Sequence, residues 1–173
     1  EFFKEKIHSI RRPRADDFQI KQAVEIIKKS KNPIIISGGG VFYSDAMKEL
    51  SNFAKKHNIP TAQTVMGYST MKKDDPYFIG AIGGFGGKAT NNFIKKTDLA
   101  IAVGTKLADF TTGSWSNFEN PKFKLISVNV SRFDANKHMA QSVIGDAKIS
   151  LLDISNALGN WKAPNDWYKN SRK

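Results

Sequence analysis

Two kinds of apolar pattern alternate along the chain. In three stretches apolar residues recur at intervals of three or four positions, which is typical of amphipathic helices. Shorter segments rich in apolar and β-branched residues lie between or beside them and predict buried strands. The helical positions are Ile20, Ala23, Val24 and Ile27; Met47, Leu50, Phe53 and Ala54; and Ile149, Leu152, Ile154 and Leu158. The predicted strands cover residues 34–36, 61–64, 99–103, 125–130 and 143–144.

This alternation of strand and helix predicts the fold class. Strands that are separated by helices pair in parallel, and a sheet built of nearly continuous apolar strands needs cover on both faces. We therefore expect an α/β domain: a three-layer, Rossmann-like fold with a mostly parallel sheet and helices on both sides. A further helix is predicted over residues 90–96, after a glycine-rich loop at residues 80–87.

Glycine-rich turns follow two predicted strands, at residues 38–40 and at Gly104. Ligands of open α/β sheets usually bind at the carboxyl ends of strands, so these turns are candidate phosphate sites. The spacing of Gly84, Gly86 and Ala89 fits a dinucleotide fingerprint, but the segment before it is a poor first strand. If Gly38 and Gly40 were the first two glycines of the same fingerprint, its third glycine would fall on Tyr43. Residues 38–40 can therefore be a tight turn or part of a nucleotide site, and both interpretations remain open.

Candidate catalytic groups are sparse. The chain has no His-Glu-x-x-His and no Gly-x-Ser-x-Gly, and the three histidines, which include His8, lie far apart in sequence. His57 ends a predicted helix, where we expect it to bond the last carbonyls of that helix. His138 follows Asp134 at helical spacing, which favours a structural hydrogen bond. Residues 109–115 form a hydroxyl-rich loop after a strand, a type of segment that often carries function.

Composition narrows the class of protein. The chain has 173 residues, 40% of them hydrophobic, and no cysteine. One domain of this size buries enough surface to fold without disulfides, and a cysteine-based zinc site is excluded. No apolar run approaches the roughly 20 residues that cross a bilayer. We expect a cytoplasmic protein without a membrane partner.

The charge is strongly positive, with 27 Lys and Arg against 16 Asp and Glu. Nucleic acid is the first partner to consider. The basic residues, however, fall in both terminal arms and on the polar side of a helix, and no aromatic platform accompanies them. We expect no nucleic-acid partner. Because the first methionine is Met47, the chain is expected to be part of a longer protein, with a basic linker arm at residues 1–14, a domain at 15–160 and a C-terminal linker at 161–173.

Three segments together resemble the central domain of thiamine-diphosphate-dependent enzymes: residues 33–44, 102–115 and 129–138. The resemblance runs from about residue 3 to about residue 161, and residues 109–115 and 133–138 are its most specific parts. Within that family the chain is most similar to hydrolases that act on a cyclic dione in inositol catabolism. An acetolactate-synthase-like decarboxylase or lyase is the alternative within the family.

The resemblance implies an enzyme of three domains that cleaves a carbon–carbon bond by adding water, with thiamine diphosphate and magnesium as cofactors. In that family flanking domains of the same chain bind both cofactors, and the enzyme is a homo-oligomer. The isolated chain is therefore expected to lack activity, catalytic residues and metal ligands. Where some relatives carry two acidic residues that bind an adenosine ribose, this chain has Asn129 and Ser131.

Two sets of site residues follow from these arguments. If the domain lines the substrate entrance, the residues expected nearest to it are Gly84, Phe85, Phe110, Thr111, Thr112 and Trp115. If it is instead a module for FAD, ADP or NAD, the cofactor-binding residues are Gly38, Gly39, Gly40, Gly104, Thr105 and Lys106.

Overall fold

Six parallel strands form one sheet through the middle of the chain. The computed structural model describes residues 3–5, 7 and 9–171, and in it the strand order is β3-β2-β1-β4-β5-β6. The predicted α/β fold class is confirmed. The strands are β1 (Pro33–Ser37), β2 (Thr61–Gln63), β3 (Phe78–Ala81), β4 (Leu99–Val103), β5 (Lys124–Asn129) and β6 (Gln141–Ile144).

Helices cover the sheet on both faces. They are α1 (Asp17–Lys29), α2 (Gly39–Tyr43), α3 (Met47–His57), α4 (Lys88–Ile94), α5 (Asp109–Thr112), α6 (Arg132–Ala135), α7 (Ala147–Leu158) and α8 (Asn165–Asn170). Successive strand side chains point to opposite faces, so Ile35 packs with α1, α3 and α7, and Ile34 and Ile36 pack with α4 and the segment after β4. All three isoleucines are fully buried.

Two elements lie where the sequence predicts loop or linker. β3 occupies the start of the predicted glycine loop, at the edge of the sheet, where its four residues are only half-buried. Gly80 interrupts its apolar residues and adopts a φ of +113°. This strand therefore lacks the continuous apolar run of the central strands. In the predicted C-terminal linker, α8 buries Trp167, whose Nε1 donates to the carbonyl of Pro33 at 2.7 Å.

The N-terminal arm also contacts the domain. Arg12 Nη1 lies 3.0 Å from Asp146 Oδ1, and Arg14 pairs with Asp153 at 2.7 Å. Asp146 is almost fully buried and caps α7 by accepting from the amides of Lys148 and Ile149. Six residues of the two terminal arms lie outside the described part of the chain: Glu1, Phe2, Lys6, His8, Arg172 and Lys173.

None of the helices that the structure describes combines the length and the apolar character needed to span a bilayer.

Candidate functional site

The strand order reverses between β1 and β4, and the turns that follow these two strands touch each other. Gly40 N donates to Gly104 O at 2.9 Å, and a Cβ atom on Gly40 would lie 2.6 Å from Gly104 Cα. A Cβ atom on Gly38 would lie 2.4 Å from Gly104 O. Because no side chain fits such distances, the contact between the two turns requires glycine at these positions.

The amides of these glycines are already engaged. Gly38 N donates to Val103 O at 2.9 Å, and Gly104 N donates to Val128 O at 2.8 Å. A phosphate cradle needs backbone N–H groups that point at the ligand. These three amides instead join neighbouring turns and strands, so the glycines serve the close approach of the backbone.

A cleft of 410 Å³ opens beside the two turns, at the carboxyl edge of the sheet. Its wall is mostly apolar, and Lys106 is the one charged residue that lines it among those described. Small-molecule sites typically combine such an apolar wall with a few polar groups. The lining residues are Gly39, Gly40, Tyr43, Thr64, Val65, Met66, Ile82, Phe85, Gly104, Thr105, Lys106, Ala108, Phe110 and Thr111.

One wall of the cleft is formed where the glycine loop packs on α5. Gly84 N donates to Phe110 O at 3.0 Å, and the rings of Phe85 and Phe110 lie 4.9 Å apart. Asn91 holds the loop from behind, since its side chain accepts from Gly83 N and donates to Gly83 O, both at 3.0 Å. Sequence reasoning missed this role of Asn91, because an amide that bonds a distant loop leaves no local pattern.

The structure brings together part of each predicted set. Of the predicted entrance residues, Phe85, Phe110 and Thr111 line the cleft. Gly84 lies directly under the Phe110 ring, where a Cβ atom would come within 2.9 Å of it. Thr112 is buried, and its hydroxyl accepts from Trp115 N at 3.3 Å. Of the predicted cofactor residues, all but Gly38 line the same cleft.

Trp115 lies elsewhere, in a second cavity of 700 Å³ near the amino ends of β5 and β6. Its ring centroid is 4.2 Å from that of His138. Ser114 and Trp115 both adopt positive φ, at 51° and 67°, and after them the chain runs on toward the start of β5. Trp115 therefore does not line the cleft at the carboxyl edge.

Six lining residues of the cleft were not predicted from the sequence: Tyr43, Thr64, Val65, Met66, Ile82 and Ala108. Three of them are large apolar residues that are exposed: Tyr43, Val65 and Met66. They follow β1 and β2, and the side chains of Tyr43 and Met66 are 73% and 72% exposed. With Phe85 and Phe110 they form an exposed apolar surface, which we call the carboxyl-edge patch. Apolar residues in several turns that follow strands are the signal that could have revealed it.

Asn129 and Ser131, at the end of β5, bond within the chain. Asn129 Nδ2 donates to Thr105 O at 3.3 Å, and its Oδ1 accepts from Ser131 N at 3.0 Å. Ser131 also caps α6 by accepting from Asp134 N. The neutral side chains at these positions thus tie β5 to the turn after β4.

Neither histidine that the structure describes has the predicted partner. His57 is fully buried, and its ring nitrogens bond Trp161 O at 2.8 Å and Ser155 Oγ at 2.9 Å rather than carbonyls of its own helix. Burial lowers the pKa of His57, so the ring is held neutral. The predicted His138–Asp134 bond is wrong: α6 ends at Ala135, and Asp134 accepts from Lys137 Nζ at 2.7 Å. That bond lowers the pKa of Asp134.

The residues present do not fit a magnesium-bound diphosphate. Among the described residues, no three His, Asp or Glu side chains are grouped so that they could hold a metal ion. The cleft wall contributes hydroxyl groups and one lysine but no carboxylate, and Mg²⁺ is bound mainly through carboxylate and phosphate oxygens.

Comparison with known proteins agrees with this architecture. The family model "Thiamine pyrophosphate enzyme, central domain" matches residues 20–154. The 3D-(3,5/4)-trihydroxycyclohexane-1,2-dione hydrolase of Clostridium perfringens strain 13 is 46% identical over 153 residues, which are 88% of this chain and 24% of that protein. The hydrolase of the same name from Clostridium botulinum strain Alaska E43 is 43% identical over 167 residues, 93% of this chain and 26% of that protein.

A third relative, 3D-(3,5/4)-trihydroxycyclohexane-1,2-dione hydrolase 1 of Bacillus cereus strain ZK, is 41% identical over 157 residues, 91% of this chain. The chain spans about a quarter of the length of these relatives. The family match covers most of the chain, including all six strands in full and the first two-thirds of α7. The chain belongs to the family of thiamine pyrophosphate enzyme central domains.

Proposed function

We propose that this chain is the central domain of a cytoplasmic, thiamine-diphosphate-dependent hydrolase that cleaves a carbon–carbon bond of a cyclic dione by adding water. The identity of 41–46% to relatives named as hydrolases of trihydroxycyclohexane-1,2-dione carries this proposal. Thiamine diphosphate and magnesium would be bound by flanking domains of the same longer chain, because the residues present here do not fit them. The isolated chain would then be inactive.

The carboxyl-edge patch is the surface through which the domain would serve this enzyme. Four of its large apolar side chains, those of Tyr43, Met66, Phe85 and Phe110, are 60–73% exposed in the chain by itself. Burying such side chains against another domain removes apolar area from water. We propose that the flanking domains dock around this patch and that the cleft, with Lys106 at its wall, lines the substrate entrance of a homo-oligomeric enzyme.

A chimeric enzyme tests the proposal. The segment of the Clostridium perfringens hydrolase that aligns with this chain is replaced by the chain itself, and hydrolysis of trihydroxycyclohexane-1,2-dione is measured with added thiamine diphosphate and magnesium. We expect the chimera to hydrolyse the dione and the isolated chain not to do so. A folded chimera of native assembly state without activity on the dione would contradict the proposed substrate class.

A nucleotide-binding module is the second candidate function. It is favoured by one observation: the cleft lies where the strand order reverses between β1 and β4, the place where open α/β sheets bind dinucleotides. The engaged amides of Gly38, Gly40 and Gly104 weigh against it. Calorimetric titration of the chain with FAD, NAD and ADP separates the two functions. A nucleotide-binding module must bind at least one of these nucleotides measurably, whereas a domain that lines the substrate entrance need not.

A further inference from the structure

Two segments that are far apart in the sequence meet at the contact between Trp115 and His138. The ring centroids lie 4.2 Å apart with an angle of 56° between the ring planes. Trp115 also packs against Phe118 at 5.2 Å and belongs to the cluster of side chains on one face of the sheet. His138 supplies this contact from the short 3-10 helix before β6, and it also hydrogen-bonds the backbone of Leu107, at the start of the segment that leads into α5.

The backbone on both sides of this contact is in an unfavourable conformation. Ser114 and Trp115 have φ of 51° and 67°, and His138 has φ of 61°. Leu107, at the other end of the α5 segment, has φ of 48°. A left-handed conformation is rare for residues with a bulky side chain and persists only where the surroundings enforce it. The segment 107–115 therefore depends on tertiary contacts for its shape.

This segment carries one wall of the cleft. Its helix α5 holds Phe110 and Thr111 at the cleft. The connection from Trp115 back to α5 is direct, since Trp115 N donates to Thr112 Oγ1 at 3.3 Å and Ser114 N donates to Asp109 O at 3.1 Å. A change in the conformation of residues 114–115 would thus be transmitted to the α5 wall.

We propose that His138 is a positioning residue that packs its ring on Trp115 and so holds α5 where Phe110 and Thr111 form the wall of the cleft. The inference concerns the shape of the wall and goes beyond the proposed function, because it holds for any occupant of the cleft. His138 itself touches the second cavity and lies outside the lining of the cleft.

Hydrogen exchange measured by NMR on the chain tests this role. The reporters are the amides of Gly84 and Thr111, which donate to Phe110 O and Ala108 O and so open when α5 moves. The variant His138→Asn removes the ring but keeps a residue that tolerates positive φ. We expect exchange about fivefold faster at both reporters, in keeping with the strength of an aromatic contact. The amide of Ile35, which donates to Pro60 O, should be unchanged.

Two further variants separate positioning from general loss of stability. His138→Phe keeps a ring on Trp115 and should restore most of the protection at Gly84 and Thr111. Met139→Asn, at the exposed neighbour that also has positive φ, should leave both reporters unchanged.

A double-mutant cycle covers the case in which a ring variant folds poorly. If the two rings act through each other, His138→Asn should accelerate exchange less in the Trp115→Ala background than in the unchanged chain. Equal acceleration at Gly84, Thr111 and Ile35, no acceleration in His138→Asn, or additive effects in the cycle would each overturn the proposal.

Discussion

The two edges of the sheet present different surfaces. At the carboxyl edge, the turns after β1 to β4 expose Tyr43, Met66, Phe85 and Phe110 around a cleft. At the amino edge, the segments that lead into β1, β4 and β5 expose lysines instead. These lysines are Lys29, Lys31, Lys96, Lys122 and Lys124. An exposed apolar surface is often covered by a partner, whereas a lysine-rich one is stable in water, and this difference is our reason for proposing the carboxyl edge as the functional surface.

Each edge is held together by one aspartate. At the carboxyl edge Asp146 accepts from Arg12 and, at 2.7 Å, from Ser44 Oγ, and so joins the N-terminal arm to α7. At the amino edge Asp98 accepts from the amides of Lys31 and Asn32 at 2.8 and 3.0 Å and joins the end of α1 to β4. Both edges are therefore rigidly built, and the apolar character of one of them is not a sign of poor packing.

The largest expected effect comes from breaking the contact between the turns at the carboxyl edge. Gly104 has φ of +61°, and a Cβ atom added to it would lie 2.6 Å from Gly40 Cα. The variant Gly104→Ala therefore combines backbone strain with a steric clash against Gly40. We expect the free energy of unfolding to fall by about 3–5 kcal/mol, measured by urea denaturation.

Gly113→Ala is the matched control for that variant. Gly113 has nearly the same φ, +58°, but the nearest atom to a Cβ there would be the Ser116 hydroxyl at 3.1 Å, and no backbone atom is among its close neighbours. Strain alone should cost about 1 kcal/mol. Equal losses in the two variants would show that the close approach of the turns at residues 40 and 104 is not what requires glycine.

Removal of the aspartates compares the two edges directly. Asp146→Ala removes the buried carboxylate that pairs with Arg12 and caps α7, although Arg12 keeps its hydrogen bonds to Ser44. We expect a loss of about 3 kcal/mol in the free energy of unfolding. Asp98→Ala removes hydrogen bonds at a more exposed position and should cost about 2 kcal/mol. Denaturation of Arg12→Ala and of the double variant with Asp146→Ala should give losses that do not add. A larger loss from Asp98→Ala would reverse this ranking of the edges.

A pH-dependent loss of stability is expected on the amino-edge side, where α3 ends at His57. Burial lowers the pKa of His57 in the folded chain below the roughly 6.5 of an unfolded chain. The unfolded chain thus binds more protons in acid, and the stability held by the neutral ring at pH 7 is lost as the pH falls through about 6.5 toward the folded value.

His57→Gln should reduce this loss of stability between pH 7 and pH 5.5, as measured by urea denaturation at both values. Burial also lowers the pKa of His138, so His138→Asn is the control for the smaller contribution of the second histidine. An unchanged pH dependence in His57→Gln would show that the buried ring is not the group that titrates.

The smallest effect on stability is expected at the carboxyl-edge patch itself. Met66→Ser and Phe85→Ser change side chains that are each 72% exposed, so each should alter the free energy of unfolding by no more than about 0.5 kcal/mol. Lys124→Ser at the amino edge is the control. A loss well above this value at Met66 would mean that the patch is already packed within the chain, which would remove the reason to assign it a partner.

Much of the fold could be predicted because the central strands are buried on both faces, and strands of this kind appear in the sequence as continuous apolar runs. The isoleucines of β1 are the clearest case. β3 has no such pattern, since it is an edge strand with Gly80 in a conformation open mainly to glycine. Trp167 stacks against Phe93, with their ring centroids 4.2 Å apart. This contact joins two elements that are distant in sequence, so the spacing of apolar residues within either element does not predict it.

The candidate site was predictable only in part. Phe85 and Lys106 reach the cleft from segments that follow β3 and β4, and Phe110 reaches it from α5. Trp115 does not, because two successive residues with positive φ carry the chain away from the carboxyl edge. Such a reversal depends on tertiary contacts, among them that with His138, which sequence spacing alone does not show.

In the proposed enzyme the carboxyl edge of the sheet, and not the amino edge, faces the flanking domains. The most direct measurement compares two sets of variants in the chimera with the Clostridium perfringens hydrolase: Met66→Asp with Phe85→Asp, and Lys96→Asp with Lys124→Asp. Assembly state and kcat/KM for the dione are measured in both. We expect the carboxyl-edge pair to disrupt domain docking or raise KM and the amino-edge pair to leave assembly and kinetics unchanged. Unchanged assembly and kinetics in the carboxyl-edge pair would contradict this arrangement.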